Sequence, residues 1–393
     1  MNTRKLSLLC ALCVSSSAYG YDMNEWPTSY TSPAGYQAKI GGNYQYDYNH
    51  FSNDARLEKE NSGNEHFRRK EFSATFGKKD TFDATVGYDF FSKLWLDVFA
   101  RLETKAVFGQ DFGKIRLGYL KVPVGLEGVI SSSYTSFLME GSPVSQALTQ
   151  SRRTGVDWAF ERPNYAFQVG AYGGKDLQGD NPGTTQAMRA VWIPVRTDSD
   201  VLHFALSAAN ESPRGYHDGR DVSFPPSVRF RARPEAALTS VRLVDSGTMT
   251  GVDRIMRGGL EGLWSHGPLT VQGEALQAHV TRRDGLPSYS ANGQYLLAAY
   301  TLTGESRPYS VNGLGAIQPN HGYGAVELVT RYSHLELNDG AIKGGRQDDW
   351  TVGANWYLTK HFKLLADYSW INATHLGLKT SPKVMELRAQ VSF

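Results

Sequence analysis

A two-residue rhythm of apolar and polar side chains recurs along almost the whole chain, and few folds can satisfy it. The closing segment KVMELRAQVSF (383–393) alternates Met385, Leu387, Ala389, Val391 and Phe393 with Glu386, Arg388, Gln390 and Ser392. In LWLDVFARLETKA (94–106), Leu94, Leu96, Val98, Ala100 and Leu102 alternate with Asp97, Arg101, Glu103 and Lys105. A helical period of 3.6 would mix the two sets, whereas a strand sends them to opposite faces. Comparable segments lie near 35–48, 66–77, 81–91, 114–122, 153–161, 164–173, 186–195, 200–208, 227–236, 253–265, 268–280, 293–303, 322–336, 349–358 and 362–371. That makes about seventeen, each near the length of a tilted strand crossing the hydrocarbon layer. Beyond residue 20 no run of apolar residues is long enough for a membrane helix. Single-chain bacterial barrels have an even number of strands, so the expected fold is all-β, a transmembrane antiparallel β-barrel of 16 strands. No linker, repeat or low-complexity tract interrupts residues 21–393, which are read as one domain.

The first 20 residues are read separately. Arg4 and Lys5 precede an apolar stretch, Leu6 to Val14, and Ala18-Tyr19-Gly20 offers a small-x-small cleavage site. This is the pattern of a secretory signal peptide, with the mature chain beginning near Tyr21. Both cysteines, Cys10 and Cys13, lie in that segment, so the mature chain enters an oxidising compartment without a thiol. The formal charge of +2 falls to zero once Arg4 and Lys5 are removed, and no basic excess points to nucleic acid. The negative mean hydropathy suits a soluble protein, and equally a barrel with a polar lumen.

The segment SVRFRARPE (227–235) carries Arg229, Arg231 and Arg233 on one face of a strand and Val228, Phe230 and Ala232 on the other. An arginine facing lipid at mid-membrane costs about 2 to 4 kcal/mol. The three arginines are therefore expected to face the lumen and to form an oxyanion ladder through forked hydrogen bonds.

Several stretches resemble the phosphate- and polyphosphate-selective porins of Gram-negative outer membranes: FRRKEF (67–72), GYLKVPVGLE (118–127), SRRTGV (151–156), RARPE (231–235), LVDSG (243–247), LTGESRPY (302–309), LVTRYSHLELNDG (328–340) and GGRQDDWTVGANWYLT (344–359). The resemblance implies a 16-stranded porin in the outer membrane, typically trimeric, with a loop folded into the lumen as a constriction. It also implies that small anionic solutes (phosphate, polyphosphate) pass, that outer-membrane lipid surrounds the barrel, and that no cofactor is needed. Arg68 and Arg69, Arg229, Arg231 and Arg233, Arg152 and Arg153, and Arg242 match the family's lumen arginines. Glu127, Ser133, Met139 and Glu140 fall in the constriction loop. The terminal Phe393 resembles the signal read by the barrel-assembly machinery.

The chain also departs from the family. The loop at 125–143 has no basic residue; Gly128, Ser133 and Gly141 stand where phosphate-type members carry lysine or arginine, and Asn43 stands where many have arginine. A channel for a larger or neutral solute fits the same residues. Adjacent Arg68 and Arg69 cannot share a face of a regular strand, so the alternative to a lumen role for the pair is that one of them sits among the headgroups. Lys121 is expected to line the pore or pair with Glu127, and Asp97 and Glu103 to hold arginines. Strand-end Trp and Tyr are read as interface girdle. Asp245-Ser246-Gly247 lacks the second copy an aspartic protease needs, Gly304-Glu305-Ser306-Arg307-Pro308 is not a nucleophile elbow, and the ten histidines lack zinc spacing. No catalytic or metal residue is nominated; a barrel enzyme or an adhesion protein is the alternative class.

Overall fold

Paired at one edge only, sixteen alternating strands would leave backbone groups bare, and closure removes both edges. The computed structural model describes residues 26–61, 65–130, 137–174, 177, 182–217 and 223–393. Among these the chain forms a closed barrel of 16 antiparallel strands. They are β1 (Tyr36–Ser52), β2 (Glu65–Lys78), β3 (Phe82–Asp89), β4 (Leu94–Glu103), β5 (Lys114–Lys121), β6 (Arg152–Arg162), β7 (Tyr165–Gly173), β8 (Gly183–Arg196), β9 (Asp200–Pro213), β10 (Val252–His266), β11 (Leu269–Arg282), β12 (Tyr289–Thr301), β13 (Ala325–Asp339), β14 (Ile342–Tyr357), β15 (Phe362–His375) and β16 (Lys383–Ser392). The segment at 1–20, with Cys10 and Cys13, and Ser133 of the constriction loop lie outside the described residues.

The cylinder closes where β1 pairs with β16, from Asn43↔Ser392 to Ser52↔Lys383. Phe393 completes the ladder: its N–H donates to the Gly42 carbonyl (3.1 Å) and its carbonyl accepts from the Gly42 N–H (2.9 Å). A Cβ at Gly42 would lie 2.5 Å from the Phe393 ring, so any larger residue there must displace that ring. The alternation is expressed as expected. Leu387 is exposed while Glu386, Arg388 and Gln390 are buried, and Met188, Leu206, Leu260, Leu296 and Trp350 form part of an exposed apolar belt. The wall is uneven: β3 has 8 residues and β5 has 8, while β10 has 15 and β14 has 16.

One expectation is corrected. Residues 227–236 are not a barrel strand; they belong to the connection between β9 and β10, with only two-residue pairings at Ser227–Val228 and Arg231–Ala232. Pro225, Pro226 and Pro234 bracket them. Proline removes ladder donors and confines the extended run to fewer residues than a crossing needs. The face rule still holds. Phe230 and Ala232 are buried against the inner wall, in one cluster with Ile255, Val280, Tyr289 and Leu335, and burial of a side chain such as Phe230 contributes roughly 1.5–3 kcal/mol.

Three connections fold inward. The described residues of 122–151 and of 214–251 enter from one end of the barrel, and 302–324 from the end that holds the C-terminus. The first contains helices α1 (Leu126–Val129) and α2 (Pro143–Leu148). Val144 and Leu148 of α2 join the Phe230 cluster. Leu126, Phe137 and Leu138 meet Leu314 of the third connection over Leu263, Leu297 and Val329. The inner face of β10–β13 is thus largely covered, as a core would be.

Candidate functional site

The arginines of the second infolded connection fall into two groups. Arg229 is neutralised: its Nε donates to Asp245 Oδ1 (2.7 Å) and its Nη2 to Asp245 Oδ2 (2.5 Å). Burial pushes the Asp245 carboxyl up, but the bonds from Arg229 and from the Gly247 N–H outweigh it and hold it below the usual carboxylate range. Arg231, Arg233 and Arg242 have no carboxylate within ion-pair distance among the described residues. Arg233 Nε donates to the Thr239 carbonyl (3.3 Å), and Arg242 Nη1 to the carbonyls of Ser240 (3.0 Å) and Val241 (3.1 Å). Together with Arg68 these three line an outer vestibule of about 850 Å³, in which Glu60 is the only carboxylate among the described residues. Burial first, then the charges of Arg233 and Arg231, lower the Arg242 guanidinium to about 10. Arg68 is paired with Glu140, but three crowded cations with so little counter-charge leave room for an incoming anion.

Arg68 and Arg69 correct the parity argument. The β1–β2 register slips between Gln45 and Tyr46, so Gln45 faces Arg69, Tyr46 faces Phe67, and Arg68 is the extra residue of a β-bulge. Both side chains therefore turn inward. Arg69 Nη1 donates to Glu71 (2.6 Å), and Arg68 Nε to Glu140 of the constriction loop (2.8 Å). Arg388 of β16 grips the same carboxylate (3.2 Å), holds Asp47 through two bonds of 2.6 Å, and donates to the Met139 carbonyl (2.7 Å). Burial works against the Glu140 charge, but Arg68 and Arg388 prevail and hold its carboxyl at about 2.

The loop residues are clamped rather than free. Glu127 accepts from Arg331 Nη1 (3.2 Å) and from the Ser142 hydroxyl (2.7 Å) and N–H (2.8 Å). The Met139 N–H donates to Asp367 (2.7 Å) and its side chain is buried. Arg331 also donates to Glu235 (2.5 Å) and to the Glu140 carbonyl (3.1 Å). Arg331 and Arg388 were not among the nominated residues. Their signal lay on the polar faces of the alternating segments 322–336 and 383–393.

Of the pair on β6, Arg152 Nε donates to Asp97 (2.9 Å), whereas Arg153 is buried and donates to Thr185 Oγ1 (3.1 Å) and to the Gly183 (3.0 Å) and Gly174 (3.3 Å) carbonyls. Lys121 donates to the Ile130 carbonyl rather than to Glu127, and Glu103 pairs with Lys114 at 3.5 Å, not with an arginine. Arg152, Asp97 and Glu71 line a middle cavity of about 240 Å³. Beyond it an inner vestibule of about 1270 Å³ is lined by seven basic and four acidic residues, Arg101 and Arg116 on β4 and β5 among them. Outer, middle and inner spaces all draw on β1–β6, the side opposite the covered wall. Among the described residues no group of His, Cys, Asp and Glu could hold a metal ion.

Comparison with known proteins agrees with this geometry. The model of the family "Phosphate-selective porin O and P" matches residues 38–393. Porin O of Pseudomonas aeruginosa is 30% identical over 206 residues, 46% of each chain. The chain spans about half the length of the curated relatives it matches. Among solved structures, the trimer form of OmpT, an outer membrane protein of Vibrio cholerae, matches with TM-score 0.55 at 11% identity, over 91% of this chain and 100% of that one. An anion-selective porin from Comamonas acidovorans matches with TM-score 0.54 at 11% identity, over 91% and 100%.

Proposed function

Because this chain belongs to the phosphate-selective porin O and P family, we propose that it is an outer-membrane porin channel that passes oxyanions in preference to cations. The observation that carries the reading is the outer vestibule, where Arg231, Arg233 and Arg242 have no carboxylate partner among the described residues and Glu60 stands alone against them. An anion arriving there exchanges water for forked guanidinium bonds. It then moves along the β1–β6 side past Arg69 and Arg152, whose paired carboxylates Glu71 and Asp97 keep each site weak enough to leave. At the inner vestibule six of the seven basic lining residues are in ion pairs, so it holds a passing anion only weakly. Arg68 serves both the vestibule and the loop clamp, whereas Arg153 and Arg229 are structural.

The reading extends to assembly and address. The low wall at β3–β5 exposes Val86, Leu94, Trp95, Leu102 and Leu117, a face suited to the same wall of two further copies in a homotrimer. Residues 1–20 direct export, and Phe393, which locks the last strand onto β1, is the residue offered to the assembly machinery. Reversal potential in a potassium chloride gradient across a planar bilayer tests the function. The expected sign is that of chloride permeation, with phosphate reducing the current; a potassium-selective potential overturns it.

A further inference from the structure

The outer vestibule has a second chemical character that a site for bare phosphate does not need. Besides its arginines it is lined by Phe91, Ala237 and Leu238. The Phe91 ring is exposed and lies against His66 at 4.9 Å between centroids, tilted by 45°. Its volume of about 850 Å³ falls within the roughly 300–1,000 Å³ of sites that enclose organic ligands. The described part of the constriction loop adds no basic residue that would strip a small, highly charged ion of its water.

We propose that this vestibule recruits organic oxyanions with a flat apolar body, such as aryl carboxylates or aryl phosphates, in preference to inorganic phosphate. The proposal rests on the anion preference argued above and names the solute class of that same site. The anionic head lies among Arg231, Arg233 and Arg242, where guanidinium forks match carboxylate or phosphate oxygens. The ring of the solute lies along Phe91 and Leu238, which reward apolar area that inorganic phosphate lacks. Guanidinium planes themselves stack on aromatic faces, so a ring between Phe91 and the arginines gains on both sides.

The test is block of ion current through the full-length protein in a planar bilayer, titrated with phenyl phosphate and, separately, with inorganic phosphate at one pH and ionic strength. The half-blocking concentration is expected to be about tenfold lower for phenyl phosphate. Phe91→Ala is expected to close most of that gap. Phe91→Leu, which keeps apolar bulk and loses the ring, should close part of it and guards against a folding defect in the alanine variant. Equal block by the two anions in the unsubstituted protein, or a tenfold gap that survives Phe91→Ala, overturns the proposal while leaving anion preference intact. A potassium-selective channel blocked by neither anion overturns the anion reading itself.

Discussion

Replacing Arg231, Arg233 and Arg242 together by alanine removes the guanidinium groups of the outer vestibule that have no carboxylate partner. A cavity of about 850 Å³ places an ion at its centre about 6 Å from the lining. At that distance one unit charge in water is worth about 0.7 kcal/mol, and screening in 0.1 M salt reduces this to about 0.4. Three charges then favour an anion by about 1.1 kcal/mol, roughly sixfold in local concentration, and disfavour a cation by the same factor. The triple variant should therefore lower the anion-to-cation permeability ratio by up to about fortyfold at 0.1 M salt. In 1 M salt the Debye length is about 3 Å and the effect shrinks to about threefold. Reversal potentials at the two salt concentrations measure both numbers. Removing Arg229 with its partner Asp245 changes no net charge and should alter the ratio less than twofold. If the triple variant keeps its permeability ratio at 0.1 M, or if its shift is the same at both salt concentrations, the vestibule is not where selectivity arises.

Three further outcomes are expected. Arg388→Met leaves Asp47 and Glu140 buried without their shared cation, at a cost of about 3–5 kcal/mol, and should lower the urea midpoint at which the heat-modifiable folded band disappears from gels. Gly42→Ala forces a Cβ into the Phe393 ring, overpacking that costs about 1–3 kcal/mol, and should reduce the folded fraction after refolding into detergent, whereas Gly262→Ala, whose Cβ would meet nothing on a backbone outside the left-handed region, serves as the comparison. Burial, helped by Glu127 and opposed by Arg331, pushes Glu235 up to about 7 from 4.5. With Asp349 and Arg331 facing it, the hold on residues 214–251 is complete below pH 4.5 and weakens as pH rises through about 7. Open-channel current noise should therefore grow between pH 5 and 8, and Glu235→Gln should make it independent of pH.

The barrel was readable from the sequence because alternation is local: every segment expected to cross does so, except 227–236. That segment shows where the rule stops. Alternation states that two faces differ, and both a membrane strand and a ribbon laid on an inner wall meet the condition. The prolines at 225, 226 and 234 carried the distinction. Parity failed at Arg68 for a related reason, since a bulge is set by pairing with β1 and leaves no mark in the strand that contains it. The clamp formed by Arg331 and Arg388 joins residues up to 249 positions apart, and no spacing rule connects them. Arg153 was nominated with Arg152 as a pair by the resemblance, and only packing distinguishes a buried cation from one that meets solute.

The infolded segments separate two dimensions that strand number alone would tie together. Sixteen strands determine the girth of the cylinder, but the usable bore is whatever the packing on β10–β13 leaves along β1–β6. Lengthening or trimming the connections at 122–151, 214–251 or 302–324 can thus widen, narrow or re-line the passage with no hydrogen bond of the wall disturbed. A lineage with this architecture can change its diet by editing its upholstery.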